Sequence, residues 1–120
     1  MIDQKSRKEL INEYKQLKPR MGVYAIKNLT NGKILVGSNV NVDKIWNRLQ
    51  LQLGAGSHPN LALQADWKEL GEANFSYEIL SELQQKDGEE VDYNAQLKDL
   101  EALYLEELQP YNERGYNKKR

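Results

Sequence analysis

The sequence of 120 residues contains no cysteine and a single histidine, His58. Disulfides and thiolate metal sites are therefore excluded, and so is any metal site built from several histidines. No apolar run approaches the roughly eighteen residues of a membrane span, and no signal peptide opens the chain. We therefore expect a cytoplasmic protein with no membrane partner.

The chain also lacks the excess of positive charge that is typical of nucleic-acid-binding proteins. Its 17 Lys and Arg face 18 Asp and Glu, for a formal net charge of −1. Because DNA affinity comes largely from phosphate neutralisation, we expect weak DNA binding from this domain alone. Basic residues concentrate in 1–20 and 113–120, and acids in 82–107. The basic ends form one patch if they fold together, and two solvated termini if they do not.

Residues 22–37 have the pattern of a β-hairpin. Asn31-Gly32 separates two apolar runs and predicts a tight primed turn, which needs positive φ. Glycine brackets the unit at both ends, and its apolar positions are rich in β-branched and aromatic residues: Val23, Tyr24, Ile26, Ile34 and Val36.

Helical spacing appears on both sides of this hairpin. A Ser-x-x-Glu capping box at Ser6 opens a predicted N-terminal helix, which Pro19 ends. Its apolar face packs either on its own domain or on a partner protein. A second helix is capped by Asn41 or Asp43 and ends at Gly54.

A third helix is capped by Ser57 or Asn60 and ends at Gly71, and residues 74–80 read as a third strand. Asp87-Gly88 predicts a surface turn before the last helix. The expected fold is α+β in one domain, 1–120, with a small three-stranded antiparallel sheet flanked by helices. Residues 1–19 form the extra N-terminal helix, and 20–117 form the core.

The last helix places a carboxylate on its apolar stripe. At ~100° per residue, Glu101 falls about 40° from Leu97. Leu100, Tyr104 and Leu108 lie in the same arc. A carboxylate there is costly unless it is paired, protonated or bound to a metal. Glu101 is therefore either an active-site residue or an edge residue that pairs with a lysine or arginine.

The motifs resemble those of the GIY-YIG nuclease superfamily over roughly residues 20–117. The first motif stands as Gly22-Val23-Tyr24, and the second as Leu35-Val36-Gly37, with leucine in place of the usual tyrosine. The run that begins at His58 looks like the corresponding family segment. Leu100-Glu101-x-x-Tyr104-Leu105 resembles the metal-binding segment, and Pro110 and Tyr116-Asn117 resemble the closing residues.

The resemblance implies hydrolysis of a DNA phosphodiester with one divalent cation. Tyr24 is then expected to activate or position the attacking water, and Glu101 to hold Mg²⁺ or Mn²⁺. His58 and Asn117 are expected to bind substrate, although His58 alternatively orders its own loop.

Two polar positions of the family pattern are apolar in this sequence. The usual arginine of the second helix falls on Ile45, and a family histidine one turn later falls on Leu49. Arg48 lies about one turn along nearly the same face, so it either reaches back to the missing arginine's place or faces solvent.

Three functions are therefore open. The first is a divergent endonuclease domain whose catalysis is impaired. The second is an active metal-dependent DNA endonuclease in which Arg48 replaces the missing arginine. The third is a non-catalytic interaction module, which uses the acidic 82–107 segment or the N-terminal helix as its contact surface.

Overall fold

The computed structural model describes residues 19–84 and 91–118. Three strands and three helices follow one another as β1 (Met21–Asn28), β2 (Ile34–Asn39), α1 (Val42–Ala55), α2 (Leu61–Leu70), β3 (Phe75–Leu83) and α3 (Tyr93–Leu108). This is the predicted α+β arrangement. The predicted N-terminal helix and the predicted turn at Asp87-Gly88 lie outside the described residues.

The three strands form one antiparallel sheet in the order β2-β1-β3, so β1 is central. Tyr24 pairs with Gly37 and Ile26 with Leu35, which places these four residues on one face. Residues 21–26 of β1 are all buried. Because successive side chains point to opposite faces, both faces of the sheet must be covered.

Helices α1 and α2 cover the face that carries Tyr24. The core there is a cluster of buried side chains from the sheet, both helices and the end of the chain: Tyr24, Ile26, Val42, Leu49, Leu53, Leu63, Trp67, Phe75 and Tyr116. Helix α3 contacts β2 and β1, and its buried Leu97 is outside that cluster. We therefore place α3 over the opposite face.

Side-chain caps begin all three helices. The side-chain oxygens of Asn41, Asn60 and Asp92 accept main-chain N–H groups of the first turns of α1, α2 and α3 at 3.0–3.1 Å. Asn41 and Asn60 were among the predicted caps. Asp43 has another role, because its carboxylate pairs with the guanidinium of Arg20.

Three predicted boundaries differ from the structure. The hairpin loop is residues 29–33, and Gly32 has positive φ (+78°) but Asn31 does not, so the predicted tight primed turn is wrong. Helix α1 continues through Gly54 to Ala55 and is capped by Gly56 at φ +75°, because that residue reaches the left-handed region. Strand β3 extends to Leu83, beyond the predicted 80.

None of the helices in the described ranges is long and apolar enough to cross a membrane.

Candidate active site

The two glycine-containing motifs meet where Tyr24 crosses Gly37. The two residues are cross-strand partners, and Tyr24 is 9% exposed. A Cβ added to Gly37 would lie 2.5 Å from Cζ of Tyr24 and closer still to its hydroxyl oxygen. Gly37 is not among the glycines with positive φ. The glycine is therefore required for the space that the phenol ring occupies.

A β-bulge lies opposite Tyr24 on the other side of β1. Val23 pairs with Ser81 and Tyr24 with Ile79, which leaves Leu80 as an extra residue in β3. The Leu80 carbonyl accepts a hydrogen bond from the Tyr104 hydroxyl of α3 at 3.1 Å. Bulges of this kind bend a strand and redirect side chains beside functional sites. The hydrogen bond from Tyr104 to this bulge therefore connects α3 to the sheet next to Tyr24.

Glu101 lies on α3 one turn before Tyr104 and is half-buried. Burial raises the pKa of Tyr24, and the negative charge of Glu101 raises this pKa further. The charge effect means that the two predicted catalytic side chains lie within electrostatic reach of each other. The fold thus places Tyr24 of β1 and Glu101 of α3 near enough for the charge of Glu101 to act on the phenol.

An open groove of about 990 Å³ runs along α3, and Glu101 forms part of its wall. Asn117 also lines it, together with Lys98 and Lys118. Glu106 and Gln109 line it as well, so the groove combines two carboxylates, two amides and two ammonium groups. Tyr24, His58 and Arg48 are not among its lining residues.

The side-chain amide of Asn117 binds the main chain of the second motif. Its Oδ1 accepts the Val36 N–H at 2.8 Å, and its Nδ2 donates to the Val36 carbonyl at 2.9 Å. The Tyr116 N–H donates to the Ile34 carbonyl at 2.9 Å. Residues 115–117 thus cover the outer edge of β2, and Asn117 holds Val36 in place. Its predicted contact with substrate stays a prediction.

His58 is buried in the loop between α1 and α2. Its Nδ1 accepts the Asn60 N–H at 3.0 Å, and its own N–H donates to Oε1 of Gln64 at 3.0 Å. Burial lowers the pKa of His58, which favours the neutral imidazole. These bonds support the loop-ordering alternative, and its predicted contact with substrate stays a prediction.

The positions where the sequence departs from the family pattern are packed into the core. Leu49 is buried in the cluster of the α1–α2 face, and Leu35 and Ile45 pack against it. Arg48 is exposed on α1. Its predicted reach toward the missing arginine's place stays a prediction.

A buried polar network that was not predicted from the sequence joins the hairpin to residues near the end of the described chain. Asn28 is fully buried and donates from Nδ2 to the Tyr116 hydroxyl at 3.0 Å. That hydroxyl donates to Oδ2 of Asp66 at 2.6 Å. Burial and the Asp66 carboxylate raise the pKa of Tyr116 to about 12. The available signal was the alternation along β1, which places polar Asn28 on the same face as Tyr24 and Ile26.

Comparisons with known proteins support the fold of the chain. No protein-family model matches the chain. Intron-associated endonuclease 1 of Enterobacteria phage T4 is 36% identical over 64 residues, which are 53% of this chain and 26% of that protein. The chain thus matches about a quarter of the length of this relative.

Two solved structures share the fold over most of the chain. The catalytic domain of homing endonuclease I-TevI has a TM-score of 0.68 at 29% identity, covering 83% of this chain and 99% of that one. A variant of the catalytic domain of intron endonuclease I-TevI has a TM-score of 0.68 at 28% identity, covering 82% and 92%. These likenesses support the resemblance of the chain to the GIY-YIG superfamily.

Proposed function

We propose that this chain is a GIY-YIG-type DNA endonuclease domain whose catalysis is weakened. The observation that carries the proposal is that the charge of Glu101 acts on the phenol of Tyr24; these are the two site residues that the sequence retains. The names of the similar proteins, an intron-associated endonuclease and the catalytic domain of a homing endonuclease, support DNA as the substrate.

Glu101 is the residue that we assign to the metal. Within the described ranges, no three acidic or histidine side chains are placed to hold a metal ion together. A single carboxylate nevertheless fits Mg²⁺ or Mn²⁺ chemistry, because magnesium keeps several waters and often takes one protein carboxylate plus substrate phosphates. When bound, such an ion stabilises negative charge that develops on the phosphate.

Tyr24 is assigned to hold the attacking water. Its pKa is raised above the ordinary value of 10. A raised pKa favours the protonated phenol at neutral pH. The hydroxyl therefore acts as a neutral hydrogen-bonding group, which positions water without first removing its proton. This supports the positioning role over the activating role.

Leu35 and Ile45 are the reason to expect weak catalysis. Neither side chain can hydrogen-bond to a phosphate or carry positive charge, and both pack against the core. Loss of one preorganised donor typically costs roughly 10²–10³ in rate. The two losses are not additive, so they predict a slow enzyme without fixing its rate.

Arg48 is the cation that we assign to the missing arginine's place within this proposal. Its exposure leaves the guanidinium accessible to a bound phosphate. Arg48→Ala should then remove the remaining cleavage, whereas Lys44→Ala, which deletes a charge from the same helix, should not. Equal cleavage by wild type and Arg48→Ala would reject this assignment and leave the rest of the proposal intact.

The deciding experiment is a nicking assay on supercoiled and branched DNA with Mg²⁺ and with Mn²⁺. We expect slow metal-dependent nicking that Glu101→Gln reduces by about a hundredfold or more, because a lost metal ligand removes several kcal/mol of transition-state stabilisation. Glu106→Gln is the matched control, since Glu106 lines the same groove on the same helix.

The possible outcomes separate the three functions. Nicking by Glu101→Gln at the wild-type rate would refute the assigned site. DNA binding without nicking would leave a non-catalytic DNA-binding module. Neither nicking nor DNA retardation at low salt would overturn the nucleic-acid function and favour a protein-interaction module.

A further inference from the structure

The groove along α3 brings together two lysines that are distant in the sequence. Lys98 belongs to α3, and Lys118 follows the segment that covers the edge of β2. Both side chains are exposed. Lys98 precedes Glu101 by three residues, so the two lie on the same helix face one turn apart.

The main chain near Lys118 is fixed to the sheet. The preceding residue, Asn117, holds both main-chain polar groups of Val36, and its own N–H donates to the Pro110 carbonyl at 3.0 Å. The flexible side chain of Lys118 thus extends from a main chain that is anchored at the preceding residue, Asn117. The groove consequently has one cation on a helix and one on a separate anchored segment, with Glu101 in the same wall.

Two other basic side chains of the described ranges have partners elsewhere. Arg20 is paired with Asp43, and the ammonium of Lys33 lies 5.8 Å from the centre of the Tyr116 ring. Lys98 and Lys118 are the basic residues recorded in the groove wall within the part of the chain that the structure describes. They are therefore the cations best placed to meet an anion that approaches Glu101.

The groove is open and charged, which suits a polymer backbone better than an enclosed small molecule. Glu101 and Glu106 balance the two lysines in the wall, so the protein's own charges there sum to zero. Long-range attraction of DNA by the groove is consequently weak. Lysines that bind DNA in such a groove act by direct contact with phosphates, and each such contact is sensitive to salt.

We propose that the groove binds the DNA backbone beside the phosphate to be cleaved, with Lys98 and Lys118 on flanking phosphates. This inference rests on the proposed function and extends it from the cleavage site to the binding surface. The two lysines are substrate-binding residues, and they supply affinity that the chain's overall charge does not.

The test is the salt dependence of binding to a short DNA duplex, measured by fluorescence anisotropy with EDTA present to prevent cleavage. Each phosphate contact adds about 0.9 to the slope of log affinity against log salt. Lys98→Ala/Lys118→Ala should therefore lower the slope by about 1.8, so between about 50 and 200 mM salt its affinity falls about tenfold less than that of wild type.

Two controls make the result specific. Lys44→Ala/Lys68→Ala removes the same charge from exposed positions on α1 and α2 outside the groove, and its slope should match that of wild type. Glu101→Gln should bind at least as tightly as wild type, because it removes a negative charge beside the phosphates. Circular dichroism of each variant confirms folding.

The outcomes distinguish this inference from the proposed function. A wild type that binds and nicks DNA, with an unchanged slope in Lys98→Ala/Lys118→Ala, would refute the groove and leave the endonuclease. An equal loss in both double variants would refute it too, because binding would then depend on total charge alone. A wild type that neither binds nor nicks would overturn both proposals.

Discussion

Replacement of Gly37 by alanine should destabilise the fold through a single contact. The new Cβ would lie 2.5 Å from Cζ of Tyr24, which is buried and whose ring centre lies 5.5 Å from that of Tyr77. The ring cannot move without disturbing this packing. Overpacking of a well-packed core costs about 1–3 kcal/mol, so we expect Gly37→Ala to lower the free energy of unfolding by about 2 kcal/mol.

Shortening Tyr24 should reverse the sign of this effect. The atoms of Tyr24 that a Cβ at Gly37 would meet are Oη, Cζ and Cε1, and valine has none of them. Valine also suits a strand, so Tyr24→Val keeps the local propensity. In that background Gly37→Ala should stabilise by about 0.5–1 kcal/mol, because glycine inside a strand is less favourable than alanine. The coupling energy is then about 3 kcal/mol.

Urea denaturation of the two single variants, the double variant and wild type measures this coupling, provided that the m-value is unchanged. Gly54→Ala is the control, because a Cβ there meets no atom within 4 Å. That change should be neutral or stabilising by up to about 1 kcal/mol. An equal cost for Gly37→Ala with tyrosine and with valine at position 24 would refute the explanation.

Three further predictions follow from the buried polar groups. Burial and Asp66 raise the pKa of Tyr116 from 10 to about 12, so between these pH values the unfolded chain loses a proton that the folded chain keeps. As pH rises through that window, this group should therefore lower the free energy of unfolding by about 1.4 kcal/mol per pH unit. Denaturation at several pH values measures this dependence, and Tyr116→Phe should remove the part that Tyr116 contributes. Tyr116→Phe should also destabilise by about 1–3 kcal/mol at neutral pH, because fully buried Asn28 loses its acceptor. A cost equal to that of Tyr111→Phe, at a half-buried position, would contradict this. Asn117→Ala should cost about 1–3 kcal/mol and speed hydrogen exchange at the Val36 amide, which NMR detects; unchanged protection there would show that the amide does not hold β2.

Local patterns predicted most of the secondary structure because its causes are local. The caps Asn41 and Asn60 satisfy main-chain groups within three residues, and the hairpin follows from two apolar runs beside Gly32. The boundary at Gly54 failed for a local reason as well, since a second glycine at position 56 provided a better left-handed cap.

Contacts between distant residues could not be read from the sequence. The bulge at Leu80 depends on strand register and on Tyr104, which follows it by 24 residues. The amide of Asn117 reaches Val36 across 81 residues, and Asn28 reaches Tyr116 across 88. Periodicity shows which face a residue occupies, but it does not identify the partner on another element.

The residues of the family pattern that this sequence keeps and those that it lacks differ in what they contribute to packing. Gly37 makes room for the Tyr24 ring, Asn117 holds β2, and His58 orders its loop, so the fold alone explains why each is needed. A domain without catalysis would keep the same residues.

The positions where this sequence departs from the family pattern behave differently. A side chain that serves only chemistry can become apolar, and at positions 35, 45 and 49 the apolar replacements now pack with the core. Glu101 belongs to neither group, since it is a half-buried carboxylate that lines the groove along α3. The identity of residue 101 therefore bears more directly on catalysis than the motif glycines do, and Glu101→Gln is the variant to measure first.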